Sequence, residues 1–130
     1  MRVPFRLGGV LLAAITLTLS ACSGGAASGG GAAGGGAQTV SVAAAEYTFT
    51  PATATVKAGQ PVTLTLRNNG TQVHDLTIDA IGGQKVQIIA QPGQPATGTF
   101  TPAAGTYQFY CSQPGHQQLG MQGTLTVNAS

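Results

Sequence analysis

Apolar and polar residues alternate with a period of two over most of the chain beyond Thr39. Val40 and Val42 alternate with Thr39 and Ser41, Tyr47 and Phe49 with Thr48 and Thr50, and Val62, Leu64 and Leu66 with Thr63, Thr65 and Arg67. Further on, His74, Leu76 and Ile78 share one face opposite Asp75 and Thr77. Tyr107 and Phe109 alternate with Thr106, Gln108 and Tyr110, and Leu125 and Val127 with Thr124 and Thr126. Successive side chains of a strand point to opposite faces, so each run predicts a strand with one buried face. The Val, Thr and aromatic content suits a pleated, half-buried surface. Ala58-Gly59-Gln60-Pro61, Asn68-Asn69-Gly70, Gly82-Gly83, Gln91-Pro92-Gly93 and Ala103-Ala104-Gly105 punctuate the pattern at short intervals. No segment after residue 39 carries a helical period with caps. About seven or eight short strands in ~90 residues predict an all-β fold, a single antiparallel β-sandwich with Greek-key connections.

The first 38 residues follow a different pattern. Arg2 and Arg6 precede an apolar run from Leu7 to Leu19. That run is too short and wrongly flanked for a permanent membrane span, and it reads as an export signal over residues 1–21. It closes on Leu19-Ser20-Ala21-Cys22, which resembles the lipobox of bacterial lipoproteins. The resemblance implies cleavage before Cys22 and a diacylglycerol on its sulfur. Residues 22–38 are almost wholly Gly, Ala and Ser, a composition with nothing to bury, and they predict a flexible linker. Residues 39–130 then form the one folded domain. The expected product is exported and lipid-anchored to a membrane, facing the periplasm or the cell exterior.

Charge narrows the choice of partners. The formal net charge is +2 with 5 basic residues, but Arg2 and Arg6 belong to the leader. Lys57, Arg67 and Lys85 then balance Glu46, Asp75 and Asp79. Such a neutral domain has no basic face for nucleic acid and no strong field to steer a charged partner. It is expected to be a monomer.

The chemistry gathers near the C-terminus, where Cys111-Ser-Gln-Pro-Gly-His116-Gln-Gln-Leu-Gly-Met121 places a thiol, an imidazole and a thioether at five-residue intervals. The other histidine, His74, stands upstream at the start of a predicted strand. With Cys22 acylated, Cys111 has no intramolecular partner, and a lone thiol in an oxidising compartment is a liability unless a metal occupies it. Each residue alone has a plainer reading: His74 as a half-buried strand histidine, Met121 as core filler, Cys111 as an inert thiol, His116 as a loop residue. Together they form a set. Two imidazoles, a thiolate and a weak thioether make the trigonal arrangement that lies between the preferences of Cu(I) and Cu(II). Sequential strands usually lie side by side, so the loop from Ser112 to about Gln122 would join two neighbours at one end of the sandwich. Pro114 and Gly115 allow it to fold His116 back over the cysteine.

The stretches Glu46-Tyr-Thr-Phe-Thr-Pro51, Asn69-Gly-Thr-Gln-Val-His74-Asp-Leu and Tyr107 through Val127 resemble the cupredoxins, the blue-copper proteins, over the domain from about residue 40 to the end. The resemblance implies a cupredoxin β-sandwich, one copper ion as cofactor and one-electron transfer rather than catalysis. It implies His74, Cys111 and His116 as equatorial ligands and Met121 as the axial one. It further implies that Asp75 ties the two ligand loops together and that Tyr110 is the aromatic beside the cysteine, a second electron route. Pro114, Gly115, Leu119 and Gly120 would form an apolar rim round the exposed edge of His116, where a donor and an acceptor redox protein dock. The loop departs from typical plastocyanin in holding four residues between Cys111 and His116. It lacks the second cysteine of a dinuclear copper site. A copper storage or delivery protein and a metal-free adhesion module are the competing readings. Delivery sites are often Met- or His-rich, and adhesion would leave the clustering of donors without a purpose.

Overall fold

All six alternating runs fold as strands in the computed structural model, which describes residues 36–130. The signal segment 1–21, the lipidation site Cys22 and most of the linker 22–38 lie outside the described residues. The strands are β1 (Gln38–Ala45), β2 (Thr48–Thr50), β3 (Thr53–Lys57), β4 (Val62–Asn68), β5 (His74–Ile81), β6 (Gln84–Ala90), β7 (Pro95–Phe100), β8 (Gly105–Tyr110) and β9 (Gln122–Asn128). They form a four-stranded sheet in the order β2-β1-β4-β7 and a five-stranded sheet in the order β3-β9-β8-β5-β6.

Two features differ from the expected antiparallel sandwich of seven or eight strands. There are nine strands among the described residues, and both sheets are mixed: β1 runs parallel to β4, and β3 parallel to β9. Parallel neighbours need a crossover between them. Here the chain makes it by visiting the other sheet, since β3 lies between β1 and β4 in sequence. Alternation reports which face of a strand is buried and is blind to the direction of its neighbour. The strands that alternation left unmarked, β3, β6 and β7, are all edge strands. An edge strand is covered on fewer sides, so its apolar signal is thinner, and β7 also carries Pro95 and Gly98.

The inner faces of the sheets supply the core. Val42, Leu64 and Leu66 from the smaller sheet meet Leu76, Ile78, Phe109, Leu125 and Val127 from the larger, all buried. Each such side chain contributes about 1.5–3 kcal/mol by leaving water. Phe49 and Phe109 cross between the sheets edge to face, with ring centroids 5.3 Å apart. Gly123 lies opposite Phe109 in the β8–β9 ladder, and a Cβ there would run into the Phe109 ring and the Ala52 carbonyl. Only glycine lets the two strands and that ring occupy the same space.

The sandwich has two unlike poles. β1 starts at one of them, where the Gln38 amide donates to the Pro61 carbonyl at 3.0 Å and its side chain brackets Lys57. β1 ends at the other, where the Asn69 amide donates to the Ala44 carbonyl at 2.8 Å. His74, Cys111 and Met121 stand at that second pole.

Candidate metal centre

Three adjacent strands bring the candidate donors together. His74 opens β5, Cys111 follows the last residue of β8, and Met121 precedes the first residue of β9. These strands are neighbours in the order β9-β8-β5, so their ends meet at one pole. The Cys111 amide donates to the Met121 carbonyl at 3.0 Å, which closes the neck of the loop. Inside it, the His116 amide donates to the Gln113 carbonyl and the Met121 amide to the His116 carbonyl, both at 3.1 Å. Gly115 and Gly120, at φ of 82° and 99°, supply the left-handed turns this coiling needs.

The side-chain donors converge. His74 Nδ1 lies 3.2 Å from His116 Nδ1, and Cys111 Sγ lies 3.4 Å from His116 Nδ1 and 4.0 Å from His74 Nδ1. A point about 2.1 Å from all three atoms exists in the plane of that triangle, within a few tenths of an ångström of the roughly 2.0–2.1 Å and 2.3 Å of metal bonds to imidazole nitrogen and thiolate. His74, Cys111 and Met121 are fully buried and His116 is 6% exposed.

The outer nitrogen of His116 decides its tautomer. Gln72 donates from Nε2 to the Tyr47 hydroxyl at 3.3 Å, so its Oε1 faces His116 Nε2 at 3.2 Å and can only accept. His116 therefore carries its proton on Nε2 and turns a bare Nδ1 inward. His74 Nε2 faces Glu46 Oε1 at 3.7 Å, beyond hydrogen-bond reach. With His116 Nδ1 bare, a proton or a metal cation must sit between the two Nδ1 atoms 3.2 Å apart. Tyr47 packs edge-on against the His116 ring with centroids 4.9 Å apart, which fixes its plane.

Asp75 binds the two ligand segments. Its Oδ1 accepts from the Ser112 amide at 2.8 Å and from the Thr77 hydroxyl at 3.0 Å. Its Oδ2 accepts from the Ser112 hydroxyl at 2.8 Å and from Gln113 Nε2 at 3.0 Å, and its own amide donates to Cys111 Sγ at 3.4 Å. Alternation put Asp75 and Thr77 on the outward face of β5, yet both are fully buried, because the Ser112–Gln113 segment covers that face. Burial works to raise the Asp75 pKa, but the hydrogen bonds from Ser112, Gln113 and Thr77 outweigh it and hold the carboxyl below its ordinary range. Burial pushes the Cys111 thiol up, against the Asp75 and Gln113 amides. It also pushes the His74 imidazole down, with His116 adding to the effect. Both shifts favour the uncharged forms of Cys111 and His74, and a metal must displace the thiol proton to enter.

The surrounding positions divide. Pro114, Gly115, Leu119 and Gly120 are exposed on the turn that carries His116, Leu119 by 61%. The His116 ring they were expected to frame has Gln72 at its Nε2. Tyr110 faces away from the core, and its hydroxyl donates to Asp79 Oδ1 at 2.9 Å, an acceptor that raises its pKa.

A cupredoxin-like domain model matches residues 9–127 of the sequence. The chain belongs to the cupredoxin-like family. Auracyanin-A of Chloroflexus aurantiacus is 36% identical over 152 residues, spanning 91% of this chain and 93% of its own. The solved structure of auracyanin A, a "blue" copper protein of that bacterium, aligns with a TM-score of 0.63 at 30% identity, covering 72% of this chain and all of that one (100%). Plastocyanin of Scenedesmus fuscus is 33% identical over 88 residues, spanning 61% of this chain and 85% of its own. The cofactor of this cupredoxin domain is one copper ion, and the donor set fits it: two nitrogens, one thiolate and a buried methionine at the same pole.

Four residues of the site escaped the reading of the sequence: Glu46, Tyr47, Asn68 and Gln72. Asn68 is a buried knot whose Nδ2 donates to the Gln72 and Ala90 carbonyls at 2.7 and 2.9 Å while its Oδ1 accepts from the Gly70 amide at 2.9 Å. A signal for Glu46 was present. It is one of 3 acidic residues in the chain and opens a stretch that resembles the family.

Proposed function

We propose that this cupredoxin domain is a carrier of single electrons, not an enzyme, that works while tethered to a membrane through lipidated Cys22. The observation that carries the reading is the convergence of three buried donors on one point, with Met121 buried at the same pole. Bound there, copper supplies a one-electron couple between Cu(I) and Cu(II).

His74, Cys111 and His116 would be its equatorial ligands and Met121 its weak axial one. The frame around them is what permits rapid exchange. Asp75 fastens the Cys111 side to β5 through Ser112 and Gln113. Gln72 and Tyr47 hold the His116 ring with Nδ1 inward. Ligands restrained this way cannot follow the geometric preference of either oxidation state, so little rearranges when the charge changes. The Asp75 amide donates to the thiolate and stabilises its charge without adding a proton to the site.

The exposed turn of Pro114, Gly115, Leu119 and Gly120 would be where donor and acceptor proteins dock, one after the other, against a monomer. It carries no charged side chain, which suits a small and short-lived contact. Burial of all the donors argues against a protein that hands copper on, which needs them accessible.

Copper titration of the purified domain tests the reading. An electron carrier develops an intense colour with Cu(II), bleaches with ascorbate and recolours in air over many cycles. A delivery protein yields its metal to a modest chelator, and an adhesion module takes up none. The tether is tested separately, by the mass of the mature N-terminus and by membrane fractionation of a Cys22→Ala variant.

A further inference from the structure

One polar atom of the site lacks a partner. His74 Nε2 is sealed from solvent and makes no hydrogen bond among the described residues. The carboxylate facing it is Glu46, with Oε1 at 3.7 Å, about half an ångström beyond hydrogen-bond reach. When a metal holds Nδ1, the ring must keep its proton on Nε2, and that N–H becomes more acidic. A buried N–H in that state needs an acceptor, and a carboxylate is the strongest available.

Glu46 belongs to the turn between β1 and β2, in the sheet that provides none of the donors. Its Oε1 accepts from the Thr71 amide and hydroxyl and from the Gln72 amide, the last two at 3.1 and 3.0 Å. These bonds pin the segment that leads into His74 and carries Gln72, whose side chain caps His116. The carboxylate stays ionised, its pKa lowered to about 2 chiefly by the Thr71 amide. Gly70 makes room for it: a Cβ on Gly70 would lie 2.6 Å from Glu46 Oε1.

We infer that Glu46 is a positioning residue of the copper site: once a metal holds His74 Nδ1, its carboxylate closes the 3.7 Å gap to accept from His74 Nε2–H, and it orients the cap of His116 through the Thr71–Gln72 backbone. One carboxylate outside the ligand loop thereby governs both imidazoles. A carboxylate behind a ligating histidine makes the nitrogen a better donor, and the gain is larger for Cu(II) than for Cu(I). Glu46 therefore favours the oxidised state and holds the midpoint potential down. This assignment rests on the copper-binding reading above.

Two substitutions separate charge from shape. Glu46→Gln keeps an oxygen that accepts from Thr71 and Gln72 but removes the charge. Gly70→Ala keeps the charge but displaces the carboxylate. Both should weaken Cu(II) binding about ten- to a hundredfold, change Cu(I) binding less, and so raise the midpoint in a redox titration. The double variant should go little further than either single one, because both remove the same contact. In the diamagnetic Cu(I) protein, the His74 Nε2–H resonance should exchange slowly with water in the wild type and faster in both variants. An unchanged midpoint and unchanged exchange in Glu46→Gln would overturn the assignment while leaving the copper reading intact. Failure of the unaltered chain to take up copper would instead remove the reading beneath it, and this assignment with it.

Discussion

The two sheets of this molecule divide the work of the copper site. The five-stranded sheet carries every donor: His74 on β5, Cys111 after β8, Met121 before β9, and His116 in the loop between the last two. The four-stranded sheet carries none, yet Glu46 and Tyr47 on its β1–β2 turn and Asn68 at the end of β4 stand behind the two histidines. Donors must lie close in sequence or on neighbouring strands to meet at a point. The residues that hold them need only reach them from behind, so they come from across the sandwich. The division explains why the donors stand out as a motif and their supports do not.

The largest effect should come from the donor sheet. Cys111→Ser should abolish the colour completely while leaving the sandwich folded. Copper stabilises the wild type by binding only the native state, so a thermal melt with and without copper should separate for the wild type and coincide for the variant. A rise in melting temperature with copper in Cys111→Ser would show that the thiolate is not essential to the site.

Phe109→Ala tests the junction between the sheets. The ring is buried and packs on Phe49, and its loss should cost about 3–5 kcal/mol in urea unfolding. A cost below about 1 kcal/mol would mean the sheets do not depend on that contact.

Asn68→Ala tests the supporting sheet. It strands the Gln72 and Ala90 carbonyls and the Gly70 amide, and should cost about 1–3 kcal/mol. It should also loosen Gln72 and so broaden the His116 ring signals in the metal-free protein, whereas a change confined to β4 would argue against this relay.

Copper uptake should follow pH with a definite sign. The Cys111 thiol is raised above its ordinary value of 9.0, so it is protonated at neutral pH, and its proton leaves as the sulfur bonds the metal. One proton is released per ion, and apparent affinity should rise about tenfold per pH unit until the thiol titrates. Proton release in weak buffer measures it, and a pH-independent affinity would contradict a protonated resting thiol.

The smallest effect concerns salt. The turn around His116 is uncharged and the charges of the described domain balance, so electron self-exchange between Cu(I) and Cu(II) forms should change less than about twofold between low and high ionic strength. A steep salt dependence would locate the contact on another, charged face.

Sheet strands and donors were legible for the same reason. Period two in β4 or β9 reflects one buried face, and the Cys111–Met121 spacing reflects one loop, both of them local. The parallel pairing of β1 with β4 was not legible, because it depends on where the chain goes between them. The edge strands β3, β6 and β7 gave a faint pattern because each is paired on one side only. Asp75 drew notice only through family resemblance; its burial depends on Ser112 and Gln113 lying over it, 37 and 38 residues away. Glu46 acts across 25 residues on Thr71 and stood out only as one charge and as the head of a family-like stretch, not as part of the site.

The course of the first strand has a spatial corollary. β1 runs from the pole at Pro61 to the pole at Ala44, and eight residues of strand cover roughly 25 Å. Whatever chain precedes Gln38 therefore joins the domain at the end remote from His116. A force applied along that chain would fall on the pole that holds none of the four donors.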